Sequence, residues 1–177
     1  MKTSALLGKL YLIPTTMGDC DPMDVLPQTI KRCIDLIDYY VVENDKTARK
    51  SIKEVSPEKK QSELKLFILN KHTETKEHLD FIKPLLQGHN MGLMSEAGCP
   101  GVADPGAVIV KLAHESGIQV IPSVGPSSIL LAMMASGMNA QSFTFHGYLP
   151  IEKDETNASF KALDRVSFEK HQSQIFI

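Results

Sequence analysis

Cysteine is scarce and scattered. Cys20, Cys33 and Cys99 are the only three in 177 residues. An odd number at such spacings excludes a disulfide framework and a cysteine-based zinc site, and fits a reducing compartment. His72, His78, His89, His114 and His171 fall into no metal-ligand grouping, and His146 is read as a structural or solvated residue, so no metal is expected. A surplus of positive charge is also missing. Nineteen Lys and Arg stand against 21 Asp and Glu, so no global basic field draws the chain to nucleic acid, and RNA contact has to rest on a local patch. Long apolar runs are absent too. The longest, Ile129 to Ala135, is far shorter than the roughly 18–20 residues of a membrane span. Near the N-terminus, Ala5-Leu6-Leu7 is interrupted by Gly8 and Lys9 and is too short for a secretion signal. The expectation is a cytoplasmic protein without a membrane partner. With 42% hydrophobic and 23% charged residues, the composition excludes a disordered chain, and the length suffices to bury a core.

What is present is alternation. Short apolar β-prone runs at Lys9–Ile13, Tyr39–Glu43, Leu64–Leu69, Met91–Ser95 and Gln119–Ile121 read as strands. Between them, helices are expected at Asp24–Ile37, Thr47–Val55, Glu74–Leu86 and Gly106–Glu115, with one more at Ser127–Ala135. In the first, Asp24 is read as the cap and Pro27 as a first-turn residue. Gly117 and Gly137 are read as helix stops. Met133 and Met134 are read as helix core. The order predicts an α/β fold: a mostly parallel sheet with helices on both faces.

After Gly137 the pattern changes. Phe143–Leu149 alternates like a strand, Ile151–Asn157 reads as a polar linker, Ala158–His171 as a helix, and Gln174–Ile177 as a strand. The expected organisation is an N-terminal α/β domain over residues 1–150 that carries the binding loops. Residues 151–177 would be a linker, a helix and the first strand of a second, truncated α/β domain.

Ligands of an open parallel sheet sit beyond the carboxyl ends of its strands. The segments there are Pro14–Asp19, Glu43–Lys46, Glu96–Gly106 and Pro122–Ser128, three of which combine Gly with Pro or Asp. Gly lets a ligand approach the backbone, and Pro removes N–H donors. Gly101 and Gly106 have the two-glycine spacing of a phosphate loop, but Ala107-Val108 follows where Lys-Ser/Thr is needed, and no G-x-G-x-x-G occurs. A neutral or cationic ligand held by loop backbone fits better, and S-adenosylmethionine, a sulfonium cation, is one such ligand. Asp104, ahead of Pro105-Gly106, is read as the cap of the following helix.

The ordered segments Leu10–Thr15 with Gly18, Glu43 with Arg49-Lys50, Ser95–Pro100 through Asp104-Pro105-Gly106, Gly125–Ser128, and Phe143–Phe145 with Gly147–Pro150 resemble the tetrapyrrole methylase superfamily of S-adenosylmethionine-dependent methyltransferases. Within it they are most similar to the branch of small-subunit ribosomal RNA 2′-O-ribose methyltransferases. The resemblance covers about the first 150 residues. It implies a methyltransferase active in rRNA processing, S-adenosylmethionine as cofactor, and a homodimer. It further implies cofactor contacts from Pro14, Ser95, Ala97, Gly98, Cys99, Pro100, Val102, Gly125, Ser127, Ser128 and Ile129. Lys46, Arg49 and Lys50, together with Lys53, fall on one helical face suited to phosphates. Glu43 ends a strand at the ligand edge, where it can act as a base, contact substrate or cap the next helix; no catalytic residue is otherwise identified.

Departures from the family's pattern keep other readings open. Where that RNA branch has an acidic pair followed by Thr-Arg, this chain has Glu43-Asn44-Asp45-Lys46. Its basic stretch after the Gly-aromatic-Leu-Pro motif is here Ile151–Thr156, acidic on balance, and His146 stands where Glu is frequent. The alternatives are a non-catalytic S-adenosylmethionine-binding module, or a methyltransferase of a small molecule such as a tetrapyrrole.

Overall fold

A computed structural model describes residues 6–70, 73 and 78–177. Its contacts group the described residues up to Pro126 into one compact unit and Ser127–Ile177 into a second. The division falls ahead of the residue-150 boundary expected from the sequence.

The first unit is a five-stranded parallel sheet in the order β3-β2-β4-β1-β5. Its strands are β1 (Lys9–Leu12), β2 (Tyr39–Val42), β3 (Lys65–Ile68), β4 (Met91–Met94) and β5 (Gln119–Pro122). Each is four residues long, and β4 is buried throughout, as a central strand covered on both faces must be. Side chains alternate between two cores. Tyr40 and Val42 pack with Ile30, Ile34 and Ile52 on one face, whereas Val41 packs with Leu85, Ile109 and Ala113 on the other. Each fully buried Val, Leu or Ile among them contributes roughly 1.5–3 kcal/mol. The Tyr40 hydroxyl is buried with them and donates to the Ile37 carbonyl at 2.9 Å, so its polar end is satisfied.

The helices of the first unit differ from expectation in three places. The expected helix Asp24–Ile37 is two helices, α1 (Pro22–Val25) and α2 (Gln28–Leu36). Pro27 is the reason. It precedes α2 as its N-cap, and Leu26 before it is forced to extended backbone. Asp21, not Asp24, caps α1 by accepting the Met23 N–H at 2.8 Å. In the expected helix Glu74–Leu86, residues 74–77 lie outside the described residues, as does His72. The remainder is two single turns, α4 (His78–Phe81) and α5 (Lys83–Leu86), with Pro84 in the opening turn of α5. Helix α3 (Asp45–Val55) starts two residues before the expected Thr47, because the Asn44 side chain accepts from both Lys46 N and Thr47 N. Helix α6 (Ala107–Glu115) lies as expected.

The second unit holds α7 (Ser128–Ser136), β6 (Phe143–Phe145), α8 (Lys153–Lys170) and β7 (Ser173–Ile175), with β6 and β7 paired in parallel. Gly137 ends α7 in the left-handed conformation, φ 68°. Met133 is buried but Met134 is exposed, so only one of the pair is core. The expected linker Ile151–Asn157 is helical from Lys153 onward. Asp154 and Glu155 occupy the first turn, where negative charge suits the helix dipole, and Thr156 Oγ1 donates to the Glu152 carbonyl at 2.9 Å. His146 is exposed, its Nε2 lying 2.6 Å from Gln174 Oε1.

Among the described residues no helix is long and apolar enough to cross a membrane, and no cluster of His, Cys, Asp and Glu could hold a metal ion.

Candidate functional site

Because all five strands of the first sheet run the same way, their following loops emerge along one edge. The direction in which the chain winds across the sheet reverses between β1 and β4, which are parallel neighbours: after β1 it proceeds to β2 on one side, after β4 to β5 on the other. The segment after β1 leads to α2, whose Ile30 and Ile34 pack on one face. The segment after β4 leads to α6, whose Ile109 and Ala113 pack on the other. Loops that part to opposite faces leave a crevice, the usual ligand position in such sheets.

The crevice is closely laced. Thr15 N donates to the Gly98 carbonyl at 3.0 Å, forming an antiparallel bridge between the two loops. Thr15 is buried, and its hydroxyl reaches the Ser95 carbonyl at 3.3 Å. Ser95 Oγ donates to the carbonyls of Ala97 and Gly98, each at 3.2 Å. Gly98 needs to be glycine twice over: its φ is +72°, and a β-carbon would lie 3.0 Å from the Pro126 carbonyl oxygen. Cys99 Sγ donates to that same oxygen at 3.3 Å. On the other side, Ser123 N donates to the Leu12 carbonyl at 3.1 Å.

These loops enclose an open cavity of about 400 Å³, lined by Leu12, Cys99, Pro100, Gly101, Val102 and Pro122 among others. That volume lies within the roughly 300–1,000 Å³ of small-molecule pockets. Of the residues expected to touch a cofactor, Cys99, Pro100 and Val102 line it. Pro14, Ser95, Gly98 and Gly125 are not among its lining residues: Ser95 and Gly98 are hydrogen-bonded within the loop, Gly125 packs on Pro14, and Ala97 is exposed. Ser127, Ser128 and Ile129 open α7 in the second unit, where Ser127 is the N-cap of the helix. Leu12 and Pro122, within segments already marked by the sequence, also line the cavity, as does Val110 on α6, which no motif singles out. An apolar residue reads the same whether it faces core or cavity. Burial raises the Cys99 thiol pKa, so the residue behaves as a small wall of the cavity more than as a reactive thiolate.

One strand further along, Glu43 and Asp104 line a small niche with Val42 and Met94. Glu43 accepts the Glu96 N–H at 3.2 Å, while Glu96 Oε1 accepts from the Thr47 hydroxyl at 2.6 Å. Burial pushes the Glu43 carboxyl above its ordinary pKa, and the charges of Asp104 and Glu96 push the same way; the Glu96 N–H opposes them. Glu43 does not cap α3, since Asn44 does. Asp104 is bound more firmly. Its Oδ2 accepts from Gly101 N at 2.8 Å and its Oδ1 from Gly106 N at 2.7 Å. The cap position of α6 is Gly106, with no side-chain cap bond, so Asp104 spans the loop and is not a simple helix cap.

The basic face of α3 divides. Lys46 is exposed, and Lys50 makes only a solvated pair with Glu54 at 3.6 Å. Arg49 is tied down: its Nε lies 2.9 Å from Asp45 Oδ1, and its Nη1 donates to the Gln61 carbonyl at 2.6 Å.

No protein-family model matches the chain. Curated relatives do. The chain is 31% identical over 159 residues to the ribosomal RNA small subunit methyltransferase I of Bacillus subtilis (strain 168), covering 90% of this chain and 52% of that protein. It is 29% identical over 161 residues to the protein of that name from Vibrio cholerae serotype O1, and 27% identical over 157 residues to that from Escherichia coli O157:H7, each match covering 89% of this chain and 52% of the relative. The chain thus spans about half the length of the curated relatives it matches. The resemblance drawn from the ordered motifs is borne out by these matches.

Proposed function

We propose that this sequence relative of the ribosomal RNA small subunit methyltransferase I proteins binds S-adenosylmethionine in the cavity beside β1 and β5 and serves a methyltransferase whose acceptor is a ribose 2′-hydroxyl of ribosomal RNA. The observation that carries the reading is that cavity, walled by glycine and proline loops at the carboxyl edge of a parallel sheet. Its walls suit the group. Leu12, Val102 and Pro122 offer apolar surface, Gly101 offers bare backbone, and no lysine stands where a phosphate would need one. When bound, S-adenosylmethionine supplies an electrophilic methyl on its sulfonium.

This chain's own contribution is placement. The Thr15–Gly98 bridge and the Cys99–Pro126 contact hold the loops in register, and positioning alone can supply roughly 7–11 kcal/mol of barrier reduction. Glu43 is our candidate for taking the hydroxyl proton: a carboxyl raised toward the working pH is a better base than an ordinary one. Lys46 and Lys50 would meet RNA phosphates, whereas Arg49 is engaged by Asp45 and ties α3 to the Gln61 carbonyl. A homodimer in the cytoplasm completes the proposal; it would sediment at twice the monomer mass.

S-adenosylhomocysteine tests the donor site. It is expected to raise the melting temperature of the full chain, and Val102→Trp, which fills the cavity from an exposed position, is expected to abolish that rise. No shift at saturating ligand removes the donor reading. Nucleoside mass spectrometry of ribosomal RNA from cells lacking the protein tests the acceptor, with loss of one 2′-O-methyl group expected.

Asn44 favours a second reading. A residue where the family pattern has a carboxylate is here a helix cap, as a non-catalytic donor-binding module would tolerate. Donor binding with an unchanged RNA methylation profile would select it.

A further inference from the structure

We infer that Asp104 is the positioning residue of the donor cavity: its carboxylate clamps the loop after β4 into the curve that forms the cavity wall. The inference rests on the donor reading above and adds the group that sets the shape of that wall.

The clamp spans Gly101 to Gly106. One oxygen takes the Gly101 N–H at 2.8 Å, the other the Gly106 N–H at 2.7 Å. Gly101 and its neighbour Val102 line the cavity, so the first of these bonds acts directly on the wall. Between the clamped amides the backbone is strained. Gly101 adopts φ +84° without penalty, having no β-carbon, but Ala103, which carries one, has φ +59°. Such a conformation is costly for a residue with a β-carbon unless its surroundings impose it, and the exposed Ala103 side chain has little to impose it with. Hydrogen bonds to a carboxylate are stronger than those between neutral groups, and two of them hold the turn.

Two neighbours sharpen the point. Gly106 leaves room for the clamp, because a β-carbon there would sit 2.8 Å from Asp104 Oδ1. Glu43 shares a niche with Asp104 and is of like charge, so the two amide bonds are what hold the Asp104 carboxylate beside it. A helix cap would need the Gly106 bond alone. The second oxygen, reaching back to Gly101, is what a cavity wall requires.

A loop that holds its binding shape only part of the time weakens binding by that fraction. The test uses the full chain and S-adenosylhomocysteine, with calorimetric Kd, unliganded melting temperature, and amide hydrogen exchange at Gly101 and Gly106 by NMR. Asp104→Ala is expected to raise Kd by about tenfold or more and to accelerate exchange at Gly101. Asp104→Asn keeps one acceptor, so a smaller rise is expected; it also decides the matter if the alanine variant does not fold. Tight wild-type binding with Kd unchanged within about twofold in the asparagine and alanine variants overturns the inference. So does a raised Kd with Gly101 exchange unaltered. Absence of binding by the wild type removes the donor reading itself, and the inference with it.

Discussion

Gly125 lies so close to Pro14 that a β-carbon on it would come within 2.2 Å of Pro14 Cβ and 2.3 Å of Pro14 Cγ. Both atoms belong to a rigid ring, so neither can swing aside. This contact brings the loop after β5 against the loop after β1. Gly125→Ala is therefore expected to destabilise the protein by about 1–3 kcal/mol, as overpacking does. Urea denaturation measures it. An unchanged midpoint would show that the two loops part freely.

Glu43→Gln is expected to raise stability at neutral pH. The Glu43 carboxyl is held above its ordinary pKa, first by burial and then by Asp104 and Glu96. The folded state therefore binds its proton more readily than the unfolded state, and this group's contribution to stability falls as pH rises from the unfolded pKa through the folded one. The glutamine variant escapes that loss while its amide oxygen still accepts from Glu96 N. Melting curves of the two proteins should separate at pH 7 and converge below pH 4.

Ser56 is fully buried and donates to Asp35 Oδ1 at 2.5 Å. That bond, ahead of Lys31, lowers the Asp35 pKa. A depressed carboxyl contributes stability that is present above its unfolded pKa and is lost as pH falls through the folded value. Ser56→Ala should cost about 1 kcal/mol at pH 7, a modest figure because Asp35 is partly solvated. It should also flatten the acid limb of a stability–pH curve below about pH 4. A parallel acid limb in the variant would refute the pairing.

Arg49 and Lys46 share a helix face but not a role. Arg49→Ala removes the bond to the Gln61 carbonyl and the Asp45 pair, and should cost about 1–2 kcal/mol in chemical denaturation. Lys46→Ala and Lys50→Ala should leave stability within about 0.5 kcal/mol. If the face meets RNA, each lysine variant should also reduce the salt slope of RNA binding by about 1. An unaltered slope in both would remove the lysines from the interface.

Some of this was open to reading residue by residue, and some was not. The alternation of apolar runs with helical spacing sufficed for the α/β class, since each run buries itself only under a helix. Asn44 stands out in the sequence only as a departure from a motif; that its side chain satisfies two amides which α3 leaves bare is visible only in the structure. Pro27 broke a helix that its apolar spacing alone would have continued, because ring geometry at one residue outweighs periodicity across the rest. Residues 153–157 misled in the opposite sense. They are too polar to signal a helix by burial, and they fold as one through first-turn charge and the bonds of Thr156.

The sequence by itself determined the elements, the loops that carry glycine and proline, and the kinship, because these depend on neighbours along the chain. Only the tertiary structure decided the strand order β3-β2-β4-β1-β5, and with it the meeting of Thr15 with Gly98 and of Pro14 with Gly125. It also decided that Asp104 would reach Gly101 and Gly106 at once, and that Glu43 would face carboxylates far from it in sequence. Such contacts depend on which strands lie side by side. That is set by how two apolar faces are covered together, a condition on the whole chain that no local pattern contains.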